Sequence, residues 1–360
     1  KLFPNTLILV SLFAVLSCSG SGDSSDIQIP QVPQENTYFP PSNSEVWDTK
    51  TLAELNWAQS QLQPLLDFLE SKNTKGFIVL HNGKIVIEEY MNGHNRNSNW
   101  YWASAGKTLT TAISGIAIDE GSIDINNKVS DYLGRAWTSI PSDKEDLITN
   151  KHLLTMTSGL DDTAGSETSP SYLTYIADAG TRWAYHNVYV KMQDVVSEAT
   201  NQTWNDYFTT KLKEPIGMNG SWLELDGLNV YWSNTRSMAR FGLMTFAKGK
   251  WNNQQIVSEA YLANAVNTSQ NINLSYGYLW WLNGNASYRL PQTQMEFNGP
   301  LITEAPSDMY AALGKNDQKI YIVPSKNLVV IRMGQSANEV SFGLSTFDND
   351  LWVKINALIN

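Results

Sequence analysis

Residues 76–90 read G-F-I-V-L-H-N-G-K-I-V-I-E-E-Y. Two runs rich in β-branched and apolar residues meet at Asn82-Gly83. An Asn-Gly pair between such runs is a strong hairpin signal, because both residues accept the positive φ that a tight two-residue turn demands. An antiparallel pair therefore opens the ordered part of the chain. On its N-terminal side, residues 51–70 carry Leu52, Leu55, Trp57, Leu62, Leu65, Leu66 and Leu69 at helical spacing. On its C-terminal side, residues 104–121 are expected to be helical, with Gly121 as a C-cap. Further helices are expected over 150–156, 188–200, 204–212 and 235–248. Strands return over 276–282, 309–313, 319–323 and 328–333, and 349–359 closes the chain as a helix. Strands at both ends with helices between them imply an α+β fold. One antiparallel sheet is built from both chain ends and flanked by helices, with a mainly helical region inserted. The cleft between sheet and helices is where a site is expected.

The chain has 360 residues, 42% of them hydrophobic, which is enough for one large core. Its net charge of -10 argues against a nucleic-acid partner, since a phosphate backbone requires a basic surface. The four histidines do not cluster, and neither H-E-x-x-H nor a paired-cysteine pattern occurs. No metal or cofactor is therefore expected.

Cys18 is the single cysteine and follows an apolar run behind Lys1. Residues 1–17 read as a signal peptide, too short to span a bilayer stably. Val15-Leu16-Ser17-Cys18 resembles a bacterial lipobox, which implies a lipid on Cys18, a membrane anchor and a place in the cell envelope. Residues 18–45, rich in Ser, Gly, Pro, Gln and Asn, read as a disordered tether. The folded domain is then expected over 46–360.

Residues 100–107, W-Y-W-A-S-A-G-K, bring chemistry. If Ser104 opens a helix, Ser104 and Lys107 share a face at i and i+3. A serine hydroxyl is a weak nucleophile that needs a base, and lysine is a base only when neutral. Burial and the positive end of a helix dipole both push a lysine in that direction. One S-x-x-K is expected by accident in a chain this long, so the motif is weak alone. Residues 183–187, W-A-Y-H-N, add Tyr185 and Asn187. Tyr185 is a candidate relay base, its pKa lowered by Lys107. Asn187 is a candidate donor to a substrate carbonyl or a holder of the lysine. A second Tyr-x-Asn, Tyr90-Met91-Asn92, reads as structural.

Together these residues resemble the serine β-lactamase and penicillin-binding-protein superfamily, most closely its class C-like branch of esterases, D-aminopeptidases and 6-aminohexanoate-oligomer hydrolases. The resemblance runs from about Lys75 to Gly334. It extends through T-L-T-T-A-I-S-G-I-A-I-D-E-G-S-I-D-I-N-N-K-V-S-D-Y-L, K-H-L-L-T-M-T-S-G-L-D-D, S-M-A-R-F-G-L-M and Q-K-I-Y-I-V-P-S-K-N-L-V-V-I-R-M-G. It implies an acyl-enzyme on Ser104, with Lys107 and Tyr185 as catalytic partners. The superfamily's Lys-Thr-Gly or His-Thr-Gly motif falls on Ala312-Leu313-Gly314, where the basic first residue is absent. That departure favours substrates lacking the antibiotic's carboxylate. Gly314 fits a close approach of substrate to backbone. The N–H of Lys315, with that of Ser104, is the expected oxyanion hole.

Other residues have plainer readings. His186 reads as a packing or rim residue, His152 as a helix-surface or buried structural one, and His81 as hairpin surface. Asp161 and Asp162 read as loop and cap residues. Trp102, beside Trp100 and Tyr101, is a candidate lining residue or a core residue. Trp280 and Trp281 are strand neighbours, so at most one faces the cleft. The absence of G-x-S-x-G argues against an α/β-hydrolase. The polar loop 161–180 is a candidate for shaping substrate choice. The expected partner is a small ester, amide or short peptide. The rival readings are a D,D-carboxypeptidase, a weak β-lactamase, and a non-catalytic ligand-binding or sensing module on the same scaffold.

Overall fold

The computed structural model describes residues 37–163, 165–337 and 343–360. The expected signal peptide and Cys18 lie outside the described residues. Among those described, no helix is long and apolar enough to cross a membrane.

The Asn82-Gly83 turn forms as its residue types require, with φ values of 47° and 83°. It joins β1 (Thr74–His81) to β2 (Lys84–Tyr90). The other strands of this sheet come from the far end of the chain: β3 (Trp281–Leu282), β4 (Tyr310–Gly314), β5 (Gln318–Val323) and β6 (Leu328–Gly334). All pairings are antiparallel, in the order β2-β1-β6-β5-β4-β3. The sheet is thus sewn from both chain ends, as an α+β reading requires.

Ile320 and Tyr321 are strand neighbours and point to opposite faces. On the Tyr321 side lies the closing helix, here α5 (Thr346–Ile359), whose Trp352 meets the Tyr321 ring edge-on at 5.6 Å. Its Phe347 stacks at 5.7 Å on Phe68 of α1 (Leu62–Ser71), so both terminal helices share that layer. On the Ile320 side lies α4 (Thr235–Phe246), crossing β1, β5 and β6. A Cβ on Gly242 of α4 would come within 2.7 Å of Val329 Cγ1. Only glycine lets this helix settle so closely on the sheet.

Between the two halves of the sheet runs the helical region, including α2 (Lys107–Asp119) and α3 (Lys191–Thr200), which pack against each other. Every residue of α2 from Lys107 to Ala117 is buried. The helix is apolar or small on all sides, which suits a core helix rather than an amphipathic one.

Three expectations need correction. The tether does not extend to residue 45, because residues 37–45 belong to the folded body. Tyr38 N–H donates to Asn82 O at 2.9 Å. Arg240 of α4 donates to Pro41 O and Ser44 O at 3.0 and 2.9 Å, and Arg236 donates to Glu45 O. Buried guanidiniums need acceptors, and this polar segment supplies its carbonyls. The second correction is an added hairpin. Ser221–Leu225 and Leu228–Ser233 pair through the Asp226-Gly227 turn, and Trp100–Tyr101 joins them as a third strand. Asp-Gly is a hairpin signal of the same kind as Asn-Gly. In the range 276–282, only Trp281–Leu282 is strand.

Candidate active site

Ser104 lies in a 3-10 turn, Ala103–Gly106, that runs directly into α2. With three residues per turn, side chains at i and i+3 eclipse, which brings Lys107 under Ser104 more directly than an α-turn would. The Lys107 Nζ to Ser104 Oγ distance is 2.9 Å. The residue before Ser104, Ala103, has a φ of 48°, a left-handed conformation that costs an alanine about 1 kcal/mol. The chain therefore turns sharply just ahead of Ser104 and holds that turn against its own preference.

What holds it is visible at β4. A Cβ on Gly314 would lie 2.6 Å from Trp102 O and 2.8 Å from Ala105 N. Gly314 thus serves a close approach between strand and the Ser104 turn. Gly314→Val is expected to displace the turn, lowering kcat by about 100-fold and stability by about 1–3 kcal/mol. Parallel turnover assays and thermal melts check this, and a variant with unchanged kcat would contradict it.

Tyr185 and Asn187 arrive from the segment just before α3. The Tyr185 phenol faces Ser104 closely enough for that side chain to favour its ionised form. Asn187 Oδ1 accepts from Lys107 Nζ at 3.5 Å. Ser104, Tyr185 and Asn187 are each half-buried, whereas Lys107 beneath them is only 2% exposed. The four side chains therefore converge, with the hydroxyls towards the surface and the amine below.

The electrostatics differ from expectation in two respects. Burial is the cause that lowers Lys107 from its ordinary 10.5 to about 7, and no neighbouring charge adds to it. Tyr185 moves the other way. Burial raises its phenol well above the ordinary value, and the facing Ser104 only partly opposes this. The expectation that Lys107 lowers the Tyr185 pKa is thus overturned, because desolvating the phenolate outweighs any help from its neighbour. Tyr185 is wedged among aromatic rings, stacked on Trp281 at 5.7 Å and edge-on to Tyr276 at 6.1 Å.

Lys315 begins the turn Lys315–Asp317, directly after Gly314. The first N–H groups of such a turn have no partner within it, and the same holds for Ser104 in its own turn. The Lys315–Asp317 turn is firmly held. Asn316 and Asp317 are left-handed, at φ 60° and 59°. The fully buried Arg332 donates to Asn316 O and Asp317 O, each at 2.9 Å, and Gln318 Nε2 donates to Asn316 O at 2.9 Å. The Asp317 carboxylate pairs with Lys319 at 3.2 Å, and Lys319 in turn pairs with Asp348 of α5 at 2.9 Å. This network, buried under the turn, was not anticipated from the sequence. Its signal was charge inside two apolar strands, at Lys319 and Arg332.

Trp102 does not line the cleft. It is fully buried, its indole N–H donates to Ser233 Oγ at 2.7 Å, and it packs on Tyr231 and Phe241. Trp280 and Trp281 do diverge: Trp281 reaches Tyr185, and Trp280 packs on Phe241 and Tyr310. His186 is 3% exposed, and burial pushes it down to about 4 against the pull of Asp162 and Asp161. It is neutral at pH 7 and belongs to the packing. His152 completes a capping box with Thr149. Asp161 accepts from Thr163 in a local turn, whereas Asp162 is no cap but pairs with Arg182 at 2.7 Å. Asn92 binds the carbonyls of Thr74 and Glu70, a structural role.

Comparison with known proteins agrees with this architecture. Residues 67–351, most of the chain, match the beta-lactamase family. The chain belongs to the beta-lactamase family. A curated relative in this comparison is an uncharacterized protein of Alkalihalophilus pseudofirmus, 27% identical over 294 residues, which span 71% of this chain and 81% of that protein. Two solved structures share the fold. A candidate beta-lactamase from Bacteroides dorei superposes with a TM-score of 0.67 at 15% identity, covering 84% of this chain and 99% of its own. A candidate 6-aminohexanoate-dimer hydrolase from Bacillus anthracis gives 0.67 at 18% identity, covering 89% of each chain. The likeness to these structures thus extends over the sheet and the helices around it.

Proposed function

We propose that this member of the beta-lactamase family is a serine hydrolase that cleaves a small ester or amide through an acyl-enzyme on Ser104. The observation that carries the reading is the 2.9 Å contact between Ser104 Oγ and a buried Lys107 whose pKa is lowered to about 7. At that pKa a large share of Lys107 is neutral at physiological pH. The neutral amine accepts the Ser104 proton as Oγ attacks the carbonyl carbon. The carbonyl oxygen takes up the negative charge and is met by the N–H groups of Ser104 and Lys315. Tyr185, kept protonated by burial, passes a proton to the leaving alkoxide or amine as the bond to carbon breaks. Lys107, now an ammonium beside the Tyr185 ring, returns the proton to the tyrosinate directly, because the acylated Ser104 oxygen has none to relay. Water then attacks the acyl-enzyme by the same route in reverse, releasing the acid. Asn187 keeps the amine in place.

Ala312 stands where a basic side chain would anchor a carboxylate. This supports substrates without one in that position, and it disfavours efficient β-lactam hydrolysis. Export and a lipid on Cys18 belong to the same proposal, because an acidic hydrolase behind a lipobox-like sequence suits an envelope enzyme.

The test is a chromogenic short-chain ester, a D-Ala-D-Ala peptide and a cephalosporin run side by side, with intact-mass detection of the acyl adduct. Turnover of the ester with a transient adduct supports the reading. A permanent adduct without turnover on any substrate would favour a sensing module instead. A pH series follows from the same geometry. Lys107 must lose its proton to act, so kcat/KM is expected to rise with pH and level off above an apparent pKa near 7. A flat profile between pH 5.5 and about 8.5 would count against Lys107 as the base.

A further inference from the structure

Lys107 Nζ lies over two aromatic faces, 4.8 Å from the Tyr185 ring centre and 4.4 Å from that of Tyr189. Tyr185 already has a place at the nucleophile, but Tyr189 does not. It sits one turn further on in the 3-10 segment Asn187–Val190, is 5% exposed, and presents its ring rather than its hydroxyl to the amine. Three residues separate the two tyrosines, and although His186 between them is extended, both rings face the amine.

The groups around the amine are few. The nucleophile turn supplies Ser104; the segment before α3 supplies Tyr185, His186, Asn187 and Tyr189; and Tyr276 lies behind Tyr185 and Tyr189. His186 is neutral, and among the described residues no carboxylate offsets the lysine charge. In a site without a counter-ion, the negative faces of the rings are what remains to favour the ammonium. Burial and the two rings therefore pull the equilibrium in opposite directions.

We propose that Tyr189 is a positioning residue whose ring face stabilises protonated Lys107 and so sets the pH range in which the amine can serve Ser104. The inference rests on the acyl-enzyme reading above and adds to it a residue that touches neither substrate nor nucleophile. It also explains an economy of the site. A carboxylate partner would hold the lysine permanently protonated, whereas an aromatic face offers weaker support that leaves the neutral form within reach.

The experiment is the pH profile of kcat/KM with the chromogenic ester for the wild type, Tyr189→Phe and Tyr189→Leu, each checked by thermal melt and by adduct formation with a serine-directed phosphonate. Phenylalanine keeps the ring, and its acid limb is expected to coincide with that of the wild type. Leucine keeps the apolar burial but removes the ring, and its limb is expected to move about one pH unit towards acid. Should the leucine variant fail to fold, ring-fluorinated phenylalanine at 189 keeps the shape while draining the ring face, and it is expected to shift the limb the same way. An unmoved limb, or one displaced towards alkaline pH, in a folded ring-free or fluorinated variant overturns the proposal while leaving the acyl-enzyme reading intact. Loss of that reading is seen separately, as turnover surviving in Ser104→Ala.

Discussion

Ser104→Ala is expected to lower kcat by roughly 10³–10⁶-fold while leaving the fold and substrate binding nearly unchanged. The hydroxyl is half-buried at the surface of the site, and its partners are Lys107 and Tyr185. Removing one oxygen there opens no large cavity, so thermal stability should barely move. Chemistry, by contrast, loses the atom that the proposed mechanism uses to form the acyl bond. The remaining rate reflects the N–H groups of the two turns, which still polarise a bound carbonyl. Two measurements check this: steady-state turnover of the chromogenic ester, and intact mass after exposure to a serine-directed phosphonate. The variant should remain unlabelled. A labelled variant, or one that keeps more than about a tenth of the wild-type kcat, would place the nucleophile elsewhere.

Lys107→Met should separate activity from stability. Methionine is unbranched, of similar length and uncharged, so it fills the same space without requiring solvation. Turnover is expected to fall by roughly 10²–10⁴-fold, because Ser104 loses its proton acceptor. Stability is expected to rise. The folded pKa of Lys107 is about 7, well below its ordinary 10.5. Below pH 7 both folded and unfolded chains carry the proton, and the folded state bears the full cost of an ammonium buried without a counter-ion. Between pH 7 and 10.5 the unfolded chain binds a proton that the folded chain does not, so wild-type stability climbs with pH. The advantage of the methionine variant should therefore be largest at pH 6, at a few kcal/mol, and should shrink towards pH 10. Lost contacts to Ser104 and to the two rings offset part of it. Denaturant midpoints at pH 6 and pH 9 give the comparison. A variant less stable than the wild type at pH 6 would mean that the lysine is better solvated or better paired than its burial implies.

On the proposed mechanism, the reason for tolerating such a lysine is the reactivity it makes available. A buried amine near pKa 7 costs stability and supplies a base at neutral pH, a trade common at sites where chemistry needs a perturbed group. The left-handed Ala103 ahead of the nucleophile is a second, smaller instance at the same turn.

Some of this architecture was legible in residue order because it depends on local chemistry. Asn82-Gly83 accepts positive φ, and the hairpin formed there. Ser104 and Lys107 are three apart, and a helical start of either kind brings them together. The Asp226-Gly227 hairpin was equally legible by that rule, since the runs beside it, S-W-L-E-L and L-N-V-Y-W-S, are rich in apolar and aromatic residues. Residues 37–45 looked like a tether because they continue a run rich in Pro, Ser and Asn, although Phe39 packs edge-on to Trp251 at 5.4 Å. They are ordered through their backbone carbonyls, which sequence patterning does not register. Trp102 was ambiguous for the opposite reason, since an aromatic residue next to a nucleophile has the same composition whether it faces the cleft or the core.

By itself, then, the sequence determined the elements whose causes lie within a few residues: the hairpins, the Ser-x-x-Lys turn, the Tyr-x-Asn segment, and an α+β order with strands at both ends. Only the tertiary structure decided that Tyr185 reaches Ser104, that Gly314 is needed for strand-to-turn contact, and that Tyr189 covers Lys107. It alone decided that Tyr185 stays protonated while Lys107 gives up its charge. The physical reason is that desolvation depends on every atom packed around a group, and those atoms come from segments 80 or more residues apart along the chain, as with Lys107 and Asn187.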